Sequence, residues 1–288
     1  MSAFVRLAEP RDIEPICHLL HEKMNSKIPV ARWRQLMTYD WLEDKPDFGR
    51  IVESDGQVLG FCGMVYSNRI IGADERPERM VSMSSWYLDK SMRGKGLGKE
   101  MLESAISDPM LTYATLTNSR KPLGIVEALG FQALEDHRYI WRTTDAVDST
   151  LKLVEDIDLI VAEVKPFQRI MINDMANLPL KPLLVHYEGR QALLFFSIKR
   201  KANDILWFDV MYTSDREMLA QCAQLIANMV LPDGASVFAA DGRFLEGPMN
   251  NAERESLPVC RYYVSNRVEP HEIDHLYSEL QILDLKLD

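Results

Sequence analysis

The apolar positions change period along the chain, and those changes mark its elements. Alternation at Ala3–Leu7 predicts a short strand. Asp12 then opens a helix through Met24, with Pro15 in its first turn and Ile13, Ile16, Leu19 and Leu20 on one face. Val30–Leu42 reads as a second helix carrying Trp33, Leu36, Met37 and Trp41. Arg50–Glu53 and Gln57–Asn68 flank Asp55-Gly56, a hairpin signature. A polar, turn-rich loop follows at Gly72–Arg79, then a buried strand at Met80–Leu88. The next helix runs to about Ser107, with Leu97, Met101, Leu102, Ala105 and Ile106 inward. Tyr113–Thr117 is a strand, Pro122–Leu129 a helix and Phe131–Arg142 a strand.

Thr143–Thr150 is a polar link, and Leu151–Val164 is apolar without one clear period. Pro182–Tyr187 and Arg190–Ile198 form a second hairpin about Glu188-Gly189. Asp204–Tyr212 is a strand, Glu217–Val230 a helix and Ala235–Ala240 a strand. Leu257–Ser265 reads as a strand and Pro270–Ile282 as a closing helix. The second half therefore echoes the first, with hairpin, strand, helix and strand in the same order.

Composition narrows the class. The chain has 288 residues, 47% hydrophobic and 26% charged, enough for two domains with real cores. The net charge of −10 argues against nucleic acid as the main partner. No apolar run approaches the ~20 residues of a membrane span. Charges interrupt the first dozen residues, so no secretory signal is expected. Cys17, Cys62, Cys222 and Cys260 lie far apart without a C-x-x-C and read as reduced thiols of a cytoplasmic protein.

The chemistry concentrates at Val81–Lys99, a buried strand, a loop with Gly94, Gly96 and Gly98, and a helix start. Glycine accepts backbone shapes other residues resist and lets a ligand approach the main chain. A helix N-terminus offers unpaired N–H groups and partial positive charge to a phosphate. Arg93, Lys95 and Lys99 add formal charge, so the stretch suits a pyrophosphate. A Walker A loop fails, because Glu100 follows Gly98-Lys99 and Arg93 stands where its first Gly belongs. A dinucleotide fingerprint fails at Lys99.

Arg93, Gly96 and Gly98 do fit Arg-x-x-Gly-x-Gly, and Ala128-Leu129-Gly130-Phe131 follows downstream. Together these resemble the coenzyme A-binding motif and the xxLGF turn of the GNAT acyltransferase family. The resemblance covers about residues 3–145. It implies an α/β fold, α+β in some schemes, with a mixed, mostly antiparallel twisted sheet flanked by helices. A GNAT domain is expected at 1–145, and a second, degenerate GNAT-like lobe at 150–288. The resemblance further implies acetyl-CoA or another acyl-CoA as co-substrate, bound by Tyr87, Leu88, Arg93, Gly94, Lys95, Gly96, Leu97, Gly98, Lys99 and Ser119. No metal is expected. The acyl group would pass directly to an amine-bearing small molecule or amino sugar, with a vaguer likeness to proteins of bacterial surface polysaccharide production. The alternative is a catalytically weak CoA-binding regulatory or assembly protein. A homodimer is compatible with either.

Ser85, Tyr87 and Ser119 are the candidate catalytic residues, with backbone N–H around Tyr87-Leu88 as the oxyanion site. Three family features are absent. Val126 stands where many members carry a Tyr acid, and Ser119, after Asn118, where they carry an Asn. The central strand offers Ser82, Ser84 and Ser85 in place of a Glu base. His18, His21, Glu22, Asp74 and Glu75 are then candidate bases, and Tyr66 and Tyr113 candidate acids.

The two halves differ where the glycines lie. Trp86 to Met101 spans 15 residues, but Trp207 to Met218 only 11. Ser214 and Glu217 have capping-box spacing there, and Asp215 puts a negative charge where a pyrophosphate would sit. One CoA site per chain is expected. Finally, His271-Glu272-Ile273-Asp274-His275 matches the zinc-protease H-E-x-x-H pattern, which requires a helix. Asp241 is the candidate upstream ligand, but a capped surface helix is the expected reading.

Overall fold

The computed structural model describes residues 3–118, 123–146 and 148–287. The chain packs as two compact units. One holds everything up to Leu134 together with Arg261–Ile273 and Tyr277–Leu285. The other holds Glu135–Cys260, Asp274–Leu276 and the residues from Lys286.

In the first unit β1 (Phe4–Leu7) leads to α1 (Ile13–Leu19), which continues through a wider turn at Leu20–Met24, and to α2 (Val30–Thr38). Then come β2 (Gly49–Ser54), β3 (Gln57–Ile71), β4 (Arg76–Leu88), α3 (Leu97–Ala105), β5 (Thr112–Thr115) and α4 (Leu123–Ala128). The sheet runs in the order β1-β2-β3-β4-β5, antiparallel except for the parallel β4–β5 pair. Asp55 and Gly56 both have positive φ, 51° and 76°, the mirror-type turn whose twist matches its strands. Trp33, Leu36 and Met37 of α2 are buried, as their spacing requires.

The second unit begins within β6 (Gln132–Trp141), at Glu135, and goes on to β7 (Lys152–Val154), α5 (Ile157–Glu163) and α6 (Pro166–Met175). It continues with β8 (Lys181–Tyr187), β9 (Arg190–Arg200), β10 (Leu206–Thr213), α7 (Arg216–Val230), β11 (Ser236–Asp241) and the start of β12 (Glu253–Val264), whose residues from Arg261 on belong to the first unit. Its pairings repeat those of the first unit: β7–β8, β8–β9 and β9–β10 antiparallel, β10–β11 parallel. Glu188 and Gly189 repeat the positive-φ turn, at 49° and 76°. Met218, Leu219, Cys222, Ala223 and Ile226 of α7 pack against Leu194, Phe208, Val210 and Phe238.

The structure departs from the sequence reading in four places. First, β6 does not flank β5. Its residues Arg138–Trp141 pair with β11, while Tyr262–Val264 at the end of β12 pair with β5. Second, Gly72–Arg79 is not a long loop. Only a tight turn precedes β4, because Arg76 and Glu78 are held in the strand by ion pairs with Glu272 and Arg267. Third, α6 occupies a stretch for which the sequence reading has no element.

Fourth, the closing helix expected at Pro270–Ile282 does not form. A single turn at Pro270–Glu272 gives way to extended chain, and only α8 (Glu279–Ile282) is helical. Tyr277 has φ 55°, which a continuous right-handed helix cannot hold. Every residue from Ile273 through Leu283 is buried, so no solvent face remains.

Candidate functional site

The site is built on the end of β4. From Met80 to Met83 this strand pairs on one side with β5, up to Thr115. Beyond that point β5 no longer follows it, and Ser85 and Trp86 together face the single residue Cys62 of β3. This is a bulge, which bends a strand and redirects its side chains. Ser85 carries it with φ 53°, a backbone shape unusual for serine, and is buried.

Past the bulge the ladder resumes with Tyr87 opposite Phe61 and Leu88 opposite Gly60. Asp89 N–H donates to the Leu59 carbonyl at 2.8 Å. Antiparallel pairing alternates, so Tyr87 N–H also points to β3 and Leu88 N–H and C=O point away from it. Of the two expected oxyanion donors, the geometry leaves Leu88 N–H on the edge that β5 has vacated. Tyr87 N–H is turned into the ladder. The Tyr87 phenol is half-buried and held above its ordinary pKa, first by burial and then by Asp89, with Arg93 opposing.

The loop follows directly. Asp89 caps a short turn by accepting from Ser91 N–H at 2.9 Å. Arg93 folds back, its Nε donating to the Leu88 carbonyl at 2.9 Å and its guanidinium 5.9 Å from the Tyr87 ring centre. Gly94 and Gly96 have φ 77° and 82°, and a Cβ on either would point into open space. Gly96 precedes α3 and, having no side chain, makes no cap to that helix's first N–H groups. Arg93, Lys95 and Lys99 are exposed around them, while Leu97 is buried beneath. Gly98 lies against Leu88 and Trp86, where a Cβ would come within 3.6 Å of the Leu88 side chain. The arrangement is an open helix N-terminus with three cations at the rim, suited to a doubly charged phosphate group.

The corresponding place in the second unit is closed. Asp215 precedes α7 and its Oδ1 accepts from Met218 N–H at 2.8 Å. Ser214, expected as the cap, instead accepts from Leu193 N–H at 2.9 Å, and Glu217 pairs with Arg190 at 3.2 Å. The cap is thus the aspartate itself, and the helix satisfies its own first turn.

Of the other candidates, Ser119 lies outside the described residues. Val126 is buried at the position of the expected acid. Tyr66 donates to Asp47 at 3.1 Å and Tyr113 to the Asp108 carbonyl at 3.2 Å, and burial raises both phenols. Asp74 and Glu75 sit at the far turn of the β3–β4 hairpin, about 30 Å along the strand from Ser85. His18 and Glu22 are exposed, and His21 Nδ1 bonds the Ile28 carbonyl at 2.8 Å.

A buried carboxyl that sequence reasoning missed comes from α8. Glu279 is 1% exposed, and Ser82 Oγ and Thr117 Oγ1 donate to its carboxylate at 2.7 and 2.8 Å. Burial pushes this carboxyl above the usual range, and the two hydroxyls pull it back. The only hint in the sequence is a glutamate inside the apolar Leu276–Leu280 run, invisible while that run is read as an amphipathic helix.

The H-E-x-x-H match has no helix to stand on. His271 is exposed in its short turn, and His275 is wholly buried with Nε2 2.8 Å from Asp241 Oδ2. Arg243 bonds both Asp241 and His275, and a guanidinium there opposes a metal cation. Glu135, Asp136 and His137 also bring ligand atoms together, but Glu135 accepts from Arg243 N–H at 2.8 Å.

Comparison with known proteins adds the following. Residues 13–110 match the profile of the acetyltransferase (GNAT) family. No curated protein matches the chain by sequence. Among solved structures, the chain is similar to a GCN5-related N-acetyltransferase from Anabaena variabilis ATCC 29413, with a TM-score of 0.57 and 10% identity over 91% of this chain and 72% of that one. It is similar to one from Kribbella flavida, TM-score 0.54 and 11% identity over 91% and 71%. It also resembles Eis1 from Mycobacterium abscessus, TM-score 0.52 and 10% identity over 91% and 73%. At this identity the likeness is one of fold: a mostly antiparallel sheet flanked by helices. Among the described residues, no helix is long and apolar enough to cross a membrane.

Proposed function

We propose, for a chain that belongs to the acetyltransferase (GNAT) family through its residues 13–110, that the first unit binds an acyl-CoA and transfers its acyl group to an amine. The reference donor is acetyl-CoA. The observation that carries the reading is the uncapped start of α3 behind Gly94 and Gly96, ringed by Arg93, Lys95 and Lys99. The pyrophosphate sits on those N–H groups. The thioester carbonyl lies against the free edge of β4, where Leu88 N–H stabilises the developing oxyanion. The bulge at Ser85 and the half-buried Tyr87 shape that edge. A small molecule bearing a primary amine is the acceptor, an amino sugar among them, in keeping with a role in bacterial surface polysaccharide production. The reaction needs no metal.

The second unit is proposed as a GNAT-like lobe that has lost the cofactor loop, since it repeats the strand order but caps α7 with Asp215. Buried Cys17, Cys62 and Cys222, all free thiols, support a cytoplasmic setting. A second reading, a CoA-binding protein with little turnover, is favoured by Val126 at the place of the family acid.

Thermal melting with and without acetyl-CoA tests the first step, and a screen of acyl-CoA turnover over amino sugars, polyamines and amino acids tests the second. Protection with turnover is the expected result. Protection without turnover selects the second reading, and absence of protection by any acyl-CoA overturns both.

A further inference from the structure

Glu279 is a charge-bearing group in a place that stability alone does not explain. An ionised carboxylate buried without a cation is strongly disfavoured, even after relaxation. Among the described residues its hydrogen-bond partners are two neutral hydroxyls, Ser82 and Thr117. The segment that delivers it is firmly tied. α8 packs on α2 and β4, and Arg32 Nη1 donates to the Ile282 carbonyl at 3.2 Å. Tyr277 packs edge-on to Trp41 at 5.4 Å and lies 4.8 Å from the Arg69 guanidinium. The positive φ of Tyr277 is a strained shape for an aromatic residue. The chain thus holds, at one spot, a strained backbone and an acid whose partners among the described residues are all neutral.

That spot is where β4 and β5 part. Ser82 lies within the paired stretch of β4, and Thr117 lies two residues beyond the last residue of β5. Thr117 is exposed, so the carboxylate stands one side chain from solvent. Ser84 follows on the same face of β4, about 7 Å further along. Its Oγ is buried and has no hydrogen-bond partner among the described residues. The bulge at Ser85 comes next, and then the Leu88 edge. A buried acid with no cation among its described partners, near a hydroxyl with none among the described residues, is the complement of an ammonium group.

We infer that Glu279 receives the ammonium of the acceptor and takes its proton, with Ser84 as the second contact. This rests on the acyltransferase reading above. The carboxylate accepts one proton from R–NH3+, and the freed nitrogen lone pair attacks the thioester carbonyl carbon. The C–S bond breaks, and its electron pair leaves on the CoA sulfur. The second nitrogen proton passes to that sulfur, giving the amide and the CoA thiol. Glu279 returns its proton to solvent on the Thr117 side. A carboxyl held above its usual range is the stronger base for this work.

The test compares Glu279→Gln with the unaltered full chain, using acetyl-CoA and two probe amines. Benzylamine is protonated at neutral pH, whereas aniline is already neutral. Glu279→Gln keeps the size of the side chain and both hydroxyl donors. Expected are unchanged thermal protection by acetyl-CoA, a fall of about 100-fold or more in benzylamine transfer, and unchanged aniline transfer. A loss equal for both amines, or for neither, overturns the inference. So does an unaltered protein that acetyl-CoA protects but that acetylates neither amine. Failure of protection in the unaltered protein instead removes the cofactor reading, which the melting arm reads separately. Ser84→Ala is the second variant. A raised KM for benzylamine with an equal or higher melting temperature supports the contact, and an unchanged KM overturns it.

Discussion

Arg93 Nε donates to the Leu88 carbonyl at 2.9 Å, tying the glycine loop to the last residue of the central strand. That bond uses the outward carbonyl of the same residue whose N–H faces the vacated edge. Loop and edge therefore move as one piece. Arg93→Lys keeps a positive charge but cannot reproduce the planar donor. It is expected to weaken acetyl-CoA binding about tenfold, near the 1.5 kcal/mol of a charged hydrogen bond, with Arg93→Ala weaker still. Titration calorimetry checks this, and full affinity in Arg93→Lys rules out the positioning role.

Gly96→Glu places a carboxylate at the open start of α3. Its Cβ meets no atom within 4 Å, so the protein folds, with a left-handed backbone strain of about 1 kcal/mol. Thermal protection by acetyl-CoA is expected to vanish while circular dichroism stays unchanged. Gly96→Ala separates strain from charge and should retain part of the protection.

Asp215→Ala removes the cap of α7. The expected loss is about 1 kcal/mol of stability, seen as a lower melting temperature. Protection by acetyl-CoA should be as large as before. A change in that protection would place a second cofactor site on α7.

Glu78 supplies a pH-dependent term. Arg267 and Arg76 hold its carboxyl below the ordinary value of 4.5, against the opposing effect of burial. A depressed folded value means the stabilisation is fully present above 4.5 and is lost as pH falls through the folded value. Glu78→Gln is expected to cost about 1–3 kcal/mol near neutral pH and to flatten acid unfolding. Urea midpoints at neutral and acid pH measure both; an equal loss at both pH values contradicts the ion-pair account.

Legibility in the sequence followed the range of the interaction. The Gly94–Gly98 spacing, the Asp55-Gly56 and Glu188-Gly189 turns and the inward face of α3 depend on a few neighbouring residues, and all could be read directly. So could the missing loop before α7, though the residue that caps it could not, because Ser214 finds its partner on β9. The choice of β12 rather than β6 to flank β5 belonged to tertiary structure, since both read as the same kind of strand and only packing selects between them. The closing segment shows the limit most clearly. Its local pattern favours a helix, but burial of every residue from Ile273 to Leu283 outweighs that weak preference. Ser82 and Glu279 are separated by 197 positions, and no local period can announce such a pair. The sequence by itself determined where a pyrophosphate could bind, because a helix start and its glycines are local. Only the tertiary structure decided that Glu279 stands beside Ser82 and Thr117, because that contact exists only after α8 has packed onto β4.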